Sequence, residues 1–205
     1  MPIKFIYFDL GGVLFIDLMV SNRWQEFVER LGVPNSLKYE FNNLYDKYEP
    51  LFNVGKMHTD EFVAIVADRL NLKLKTSNLL LSLVDEFYPN ESLQGLLPKI
   101  QKQYRTGLLT NMYIGMLDEV FNRRLVSRDG WEIIIDSSKV GMAKPDRPIF
   151  EFAQKQAKVP PENILFIDNS SANIKAATGL GWQTLLYEPA DIEGSNNLIM
   201  RLLFS

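Results

Sequence analysis

Three polar residues in this chain each close a short apolar run. Asp9 follows residues 4–8 (KFIYF) and precedes Gly11 and Gly12, Thr110 closes residues 107–109, and Asp168 closes residues 164–167. A carboxylate held at the end of a buried strand can attack phosphorus and so divide one displacement into two easier ones. Glycines next to it leave room for phosphoryl oxygens to approach backbone N–H groups. A strand-end hydroxyl such as Thr110, with the N–H of Asn111, can donate to the oxygens of a group in transfer. Each feature also has a plain alternative: an aspartate before two glycines caps turns, the glycine pair makes an ordinary turn, and the threonine ends a strand.

The elements that would bring these residues together are legible in the apolar pattern. The runs at 4–8, 107–109 and 164–167, and a fourth at 132–135 ending in Asp136, read as buried strands. Amphipathic stretches at 148–158 and 171–180, the latter stopped by Gly181, read as helices between and after them. Strands alternating with helices predict a doubly wound, Rossmann-like parallel sheet covered on both faces. Ligands of such sheets bind beyond the carboxyl ends of the strands, where Asp9, Thr110 and Asp168 would converge.

Residues 17–89 differ. Four helical stripes follow one another: Trp24, Phe27, Val28 and Leu31; Leu37, Phe41, Leu44, Tyr45 and Tyr48; Phe62, Val66 and Leu70; Leu80, Leu83, Val84 and Phe87. They predict a small four-helix cap, residues 17–89, inserted after the first strand of an α/β core formed by residues 1–16 and 90–205. Pro98 is expected to open or kink the helix that follows. His58, the sole histidine, reads as a surface turn, and Trp131 and Trp182 as packing beside strands. Tyr45, Tyr48 and Phe52 read as cap packing, with the lining of a pocket that faces the active site as the alternative, and no cap residue names a substrate.

With 205 residues, 46% of them hydrophobic, the chain can bury one sizeable core with a small accessory unit. A net charge of −3 offers no general attraction to nucleic acid or anionic lipid. The absence of cysteine excludes a disulfide scaffold, a thiol nucleophile and a thiolate metal site. The first apolar stretch is broken by Asp9 and lacks a basic start, so neither a signal peptide nor a membrane span is expected, and a cytoplasmic location follows.

The order of motifs is more specific than any one of them. Asp9-Leu10-Gly11-Gly12-Val13, a helical insertion, Thr110-Asn111, Lys144-Pro145 and Asp168-Asn169-x-x-x-Asn173 resemble the haloacid-dehalogenase-like hydrolases over nearly the whole chain. FDLGGVLF, LLTN, GMAKPDRPIF and FIDNSSANIKAATGLG are most similar to phosphatases related to the amino-terminal domain of soluble epoxide hydrolases and to small bacterial sugar-phosphate phosphatases. The resemblance implies an Mg²⁺-dependent phosphatase acting on a small phosphorylated metabolite through an aspartyl phosphate. It makes Asp9, Thr110 and Lys144 catalytic, and Gly11, Gly12, Thr110, Asn111 and Lys144 the phosphate-binding set. It places the metal on Asp9, the carbonyl of Gly11 and the pair Asp168-Asn169.

The chain departs from that pattern twice. Asn169 stands where the family more often has an acidic metal ligand; its amide oxygen can bind a hard cation but brings no charge. Asp17 is a substitute carboxylate to weigh against its ordinary role as a turn residue. Gly11 stands where many relatives have the acid that protonates the leaving oxygen, a loss worth about 10²- to 10⁴-fold. Both departures favour, as the alternative, a weak or inactive member that binds a phosphorylated ligand or a protein partner. A third reading, 2-haloacid dehalogenation, meets Gly11 where an aromatic residue is expected.

Overall fold

The computed structural model describes residues 2–19 and 22–204. In chain order the elements are β1 (Phe5–Phe8), β2 (Phe15–Ile16), α1 (Arg23–Arg30), α2 (Lys38–Asn53), α3 (Thr59–Leu70), α4 (Leu79–Val84), β3 (Tyr88–Pro89), α5 (Glu91–Gln94) and α6 (Leu97–Gln103). There follow β4 (Arg105–Thr110), α7 (Met116–Asn122), β5 (Ile133–Asp136), α8 (Ser137–Val140), α9 (Arg147–Ala157), β6 (Ile164–Asp168), α10 (Ser171–Thr178), β7 (Gln183–Leu186) and α11 (Ile192–Phe204).

Five strands form one parallel sheet in the order β5-β4-β1-β6-β7. β1 lies at its centre, and its alternation explains both layers. Phe5 and Tyr7 enter one apolar cluster with Phe150, Phe166 and Trp182, while Ile6 and Phe8 enter the other with Leu108 and Ile167. All four side chains of β1 are fully buried, which is why this strand reads as an unbroken apolar run and not as alternation. Trp182 stacks on Tyr7 at 5.8 Å and Trp131 meets Phe8 edge-on at 5.9 Å, so both tryptophans pack beside the central strand.

The chain winds outward from β1 through β4 to β5 and then returns to β6 on the other side of β1. The crevice at that reversal opens at the carboxyl ends of β1, β4 and β6. β7 was not expected from the sequence. Its segment, Gln183-Thr184-Leu185-Leu186, has two polar residues and an exposed Leu186, as an edge strand allows.

Between β2 and β3 the chain forms α1 to α4, the four expected helices. β2 and β3 pair antiparallel, Phe15 with Pro89 and Ile16 with Tyr88, and so tie the entry of this insertion to its exit. Two residues per strand are too few for a periodic signal, and the pair was not foreseen. Inside the insertion Phe62 of α3 sits edge-on to Phe41, Tyr45 and Phe52 of α2, each at 5.8 Å. His58 is exposed just before α3, where its backbone N–H donates to Glu61 Oε1 at 2.8 Å. Pro98 lies in the first turn of α6, where a missing N–H costs nothing. No helix among the described residues is long and apolar enough to cross a membrane.

Gly107 sits where the sheet leaves no room for a side chain. A Cβ there would lie 2.8 Å from the Ile133 carbonyl oxygen and 2.9 Å from the Tyr7 ring. Gly107→Ala is therefore expected to destabilise the protein by about 1–3 kcal/mol, read as a lower urea midpoint at unchanged slope. A midpoint equal to the wild type would show that β4 and β5 can separate freely.

Candidate active site

Each strand of the central crevice delivers one residue. Asp9 follows β1 directly, and its backbone N–H donates to the Ile167 carbonyl at 2.9 Å, which fixes it beside the end of β6. Thr110 ends β4 and Asp168 ends β6. Lys144, on the loop before α9, reaches between the two aspartates: its Nζ lies 2.9 Å from Asp9 Oδ1 and 2.7 Å from Asp168 Oδ2. Its side chain is 1% exposed, so the ion pairs are shielded from water.

Lys144 is aimed from both ends. The side chain of Asn111 clamps its backbone, with Nδ2 donating to the Lys144 carbonyl at 2.8 Å and Oδ1 accepting from the Lys144 N–H at 2.9 Å. Asp168 is held in turn by the Ser170 N–H at 2.7 Å and by Asn173 Nδ2, 3.1 Å from both its oxygens. Asp168 is fully buried with both oxygens engaged, and the cavity wall is formed beside it by Asn169, Ser170 and Asn173. Asp168 thus contacts Lys144, while Asn169, the other half of the expected metal pair, lines the cavity.

Two carboxylates share one ammonium here. Burial pushes the Asp9 carboxyl up to about 7; the charge of Lys144 works against this and that of Asp168 adds to it. For Lys144, burial opposes the charged form, but Asp168 and Asp9 together outweigh it and raise its pKa. The Thr110 hydroxyl, also buried, has no hydrogen-bond partner. An orphaned donor of this kind costs free energy unless a ligand atom satisfies it.

The loop after Asp9 explains the unusual Gly11. A Cβ on Gly11 would lie 2.6 Å from Asp17 Oδ2, so the Asp17 carboxylate occupies the space where a side chain at position 11 would begin. Asp17 also makes the turn expected of it, Oδ1 accepting from the Met19 N–H at 2.8 Å. Burial raises its pKa. Gly12 has φ +72°, and a Cβ there would strike the Asn169 amide at 2.1 Å. The sequence showed Asp17 but not that it faces Gly11, because the two meet only when the chain turns back through β2.

Asp9, Gly11, Asp17, Asn111, Lys144 and Asn169 line one cavity of about 630 Å³. Its floor holds Asp9, Gly11, Lys144 and Asn169; its roof comes from the insertion, with Trp24, Asn42, Tyr45, Asp46, Glu49 and Asn53. Trp24, expected as helix packing, lines the cavity, and so does Tyr45, for which pocket lining was the second expectation beside cap packing, while Phe52 stays wholly in the core.

Residues 3–181 match the family model of haloacid dehalogenase-like hydrolases. The chain belongs to that family. Among curated proteins, this hydrolase is 28% identical over 193 residues to the D-ribitol-5-phosphate phosphatase of Bacteroides thetaiotaomicron, covering 89% of the chain and 90% of that protein. It is 23% identical over 211 residues to bifunctional epoxide hydrolase 2 of Sus scrofa, covering 93% of the chain but only 37% of that longer protein. A HAD family enzyme from Bacteroides thetaiotaomicron, solved as a magnesium complex, shares the fold with TM-score 0.77 at 24% identity over 92% of this chain and 95% of that one.

Removing the shared cation of this hydrolase should expose the cost of the arrangement. Lys144→Met leaves two buried carboxylates unpaired and is expected to destabilise the fold by about 3–5 kcal/mol at pH 8. Carboxyls whose folded pKa exceeds the unfolded value bind more protons when folded, so the deficit should shrink as pH falls from 8 to 5. Urea unfolding at both pH values checks this. A deficit independent of pH would show that the loss is one of packing.

Proposed function

We propose that this hydrolase is an Mg²⁺-dependent phosphatase that cleaves a small phosphomonoester through an aspartyl phosphate on Asp9. Residues 1–16 and 90–205 would act as its core and residues 17–89 as the cap that closes over the reaction. Residues 1, 20–21 and 205 of that division lie outside the described residues. The observation that carries the reading is the buried Asp9–Lys144–Asp168 array, with Asp9 and Lys144 lining the cavity under the insertion and a buried, unpartnered Thr110 hydroxyl at the end of the neighbouring strand β4. The 28% identical relative named as a D-ribitol-5-phosphate phosphatase supports the same chemistry.

The donor set suits a hard divalent cation. Asp9, the Gly11 carbonyl and the Asn169 amide offer oxygen ligands, and two carboxylates against one lysine leave a negative excess for a cation to neutralise. Asp168 already accepts from Lys144, the Ser170 N–H and Asn173, and with its remaining lone pair it would complete the oxygen set beside Asn169. Mg²⁺ bound there would screen the incoming phosphoryl charge from Asp9 and withdraw electron density from phosphorus.

Asp9 Oδ2 attacks phosphorus as the P–O bond to the alcohol breaks, leaving an acyl phosphate. Lys144 and the Thr110 hydroxyl hold the equatorial oxygens. Asp17, standing where Gly11 lacks a side chain, gives its proton to the departing alkoxide. It then accepts a proton from the water that attacks the acyl phosphate, which returns Asp9 and releases phosphate. Gly11 and Asp17 together would do what one aspartate does in many relatives.

p-Nitrophenyl phosphate turnover across a magnesium titration with an EDTA control is expected from the wild type and to fall to background in Asp9→Asn. No turnover above that variant would leave the chain as a binding member. Chloride release from 2-chloropropionate without phosphatase activity would replace phosphorus by carbon as the site of attack. Asp17→Asn should lower kcat/KM about 10²-fold further for an alkyl phosphate than for p-nitrophenyl phosphate, whose leaving group needs no proton. Equal losses on both substrates would remove Asp17 from leaving-group protonation.

A further inference from the structure

The face of α2 that roofs the cavity is polar, and its spacing is regular. Asn42, Asp46, Glu49 and Asn53 recur at i, i+4, i+7 and i+11, so all four lie on one stripe of the helix. All four line the cavity that holds Asp9. The adjoining face of the same helix carries Phe41, Tyr45 and Phe52, buried against α3 and the core, and this packing fixes the rotation of the polar stripe.

Two members of the stripe are already oriented. Trp24 Nε1 donates to Asn42 Oδ1 at 3.0 Å; an indole N–H can only donate, so the Asn42 amide turns its oxygen to Trp24 and leaves its NH₂ to donate elsewhere. Tyr45 and Tyr113 share a hydroxyl–hydroxyl hydrogen bond of 2.5 Å, and the Tyr113 hydroxyl donates to Glu49 Oε1 at 3.3 Å. The roof therefore presents an amide donor next to carboxylate acceptors. Among the described residues lining the cavity, Lys144 is the only cation, and it sits at the floor.

We infer that the α2 stripe reads the alcohol half of the substrate, selecting a molecule that carries several hydroxyls and a single phosphate and turning away one with a second anion. Hydroxyls both donate and accept, so a row of them can pair with Asn42 and Asn53 as well as with Asp46 and Glu49. An alkyl chain would strip water from these groups and return no bonds, which is how a polar site rejects an apolar analogue. A second phosphate or carboxylate would face Asp46 and Glu49 with no cation to pair with. This inference rests on the phosphatase reading for its phosphate end, and the α2 residues themselves carry the selectivity.

A matched set of six-carbon esters tests it: a hexitol 6-phosphate, n-hexyl phosphate, 6-aminohexyl phosphate and a hexitol 1,6-bisphosphate. Binding is measured by calorimetry on the Asp9→Asn chain and kcat/KM on the wild type, both with Mg²⁺. The hexitol monophosphate should bind at least tenfold more tightly than the hexyl ester and the bisphosphate. Asp46→Ala and Asn53→Ala, with circular dichroism and melting confirming their folding, should each cut the hexitol-to-hexyl ratio about 5- to 20-fold. Equal affinity for hexitol and hexyl esters, preference for the aminohexyl ester or the bisphosphate, or a ratio unchanged in both variants would overturn the inference. Turnover of all the monoesters without selectivity would sink the stripe and leave the phosphatase; selective binding with no turnover by the wild type would sink the phosphatase and leave the stripe.

Discussion

One ammonium buried between two carboxylates governs this structure. Taking Lys144, Asp9 and Asp168 out of water carries a large desolvation penalty, which close ion pairs offset only when the remaining lone pairs are also satisfied. At Asp168 most are, by the Ser170 N–H and Asn173. At Asp9 they are less completely so, and its carboxyl is pushed up to about 7 by burial. The asymmetry divides the labour: the better satisfied carboxylate anchors the lysine, and the less satisfied one faces the cavity. A folded protein maintains such an imbalance most readily at a site that receives a ligand.

The sheet makes that array possible. Parallel strands bring their carboxyl ends to one edge, and the reversal of winding at β1 leaves a crevice between the outgoing and returning halves. Asp9, Lys144 and Asp168, at least 24 positions apart in the chain, thereby meet at hydrogen-bonding distance. Helix α10 begins directly behind β6, so its first turn supplies Asn173 to Asp168 without any long-range search. Asn111, one residue beyond β4, does the same for the backbone of Lys144.

The insertion completes the site from above, and its two faces have separate tasks. Aromatic packing around Phe62 sets the orientation of α2, and the polar face of that helix is left over the cavity. The short β2–β3 ribbon holds the insertion at a fixed neck. Directly after β2 the chain brings the Asp17 carboxylate against Gly11, into the space where a side chain at position 11 would begin.

The sequence by itself determined the parallel sheet, because strands buried on both faces must be continuous apolar runs. It also determined the four-helix insertion, because each helix needs an apolar stripe, and the convergence of Asp9, Thr110 and Asp168, because all three end strands of one sheet. β7 escaped notice because an edge strand buries too little to need an apolar run, and the β2–β3 ribbon because two residues show no period. Only the tertiary structure decided which carboxylates face the cavity. Asp168 and Asn169 are neighbours in the chain, yet the turn into α10 commits the first to Lys144 and leaves the second beside Gly12. Asp17 and the α2 stripe look like ordinary polar surface in one dimension, since a charged residue on a helix usually faces water. What they face is set by how the insertion folds back over the strand ends, and that depends on packing between residues far apart in the chain.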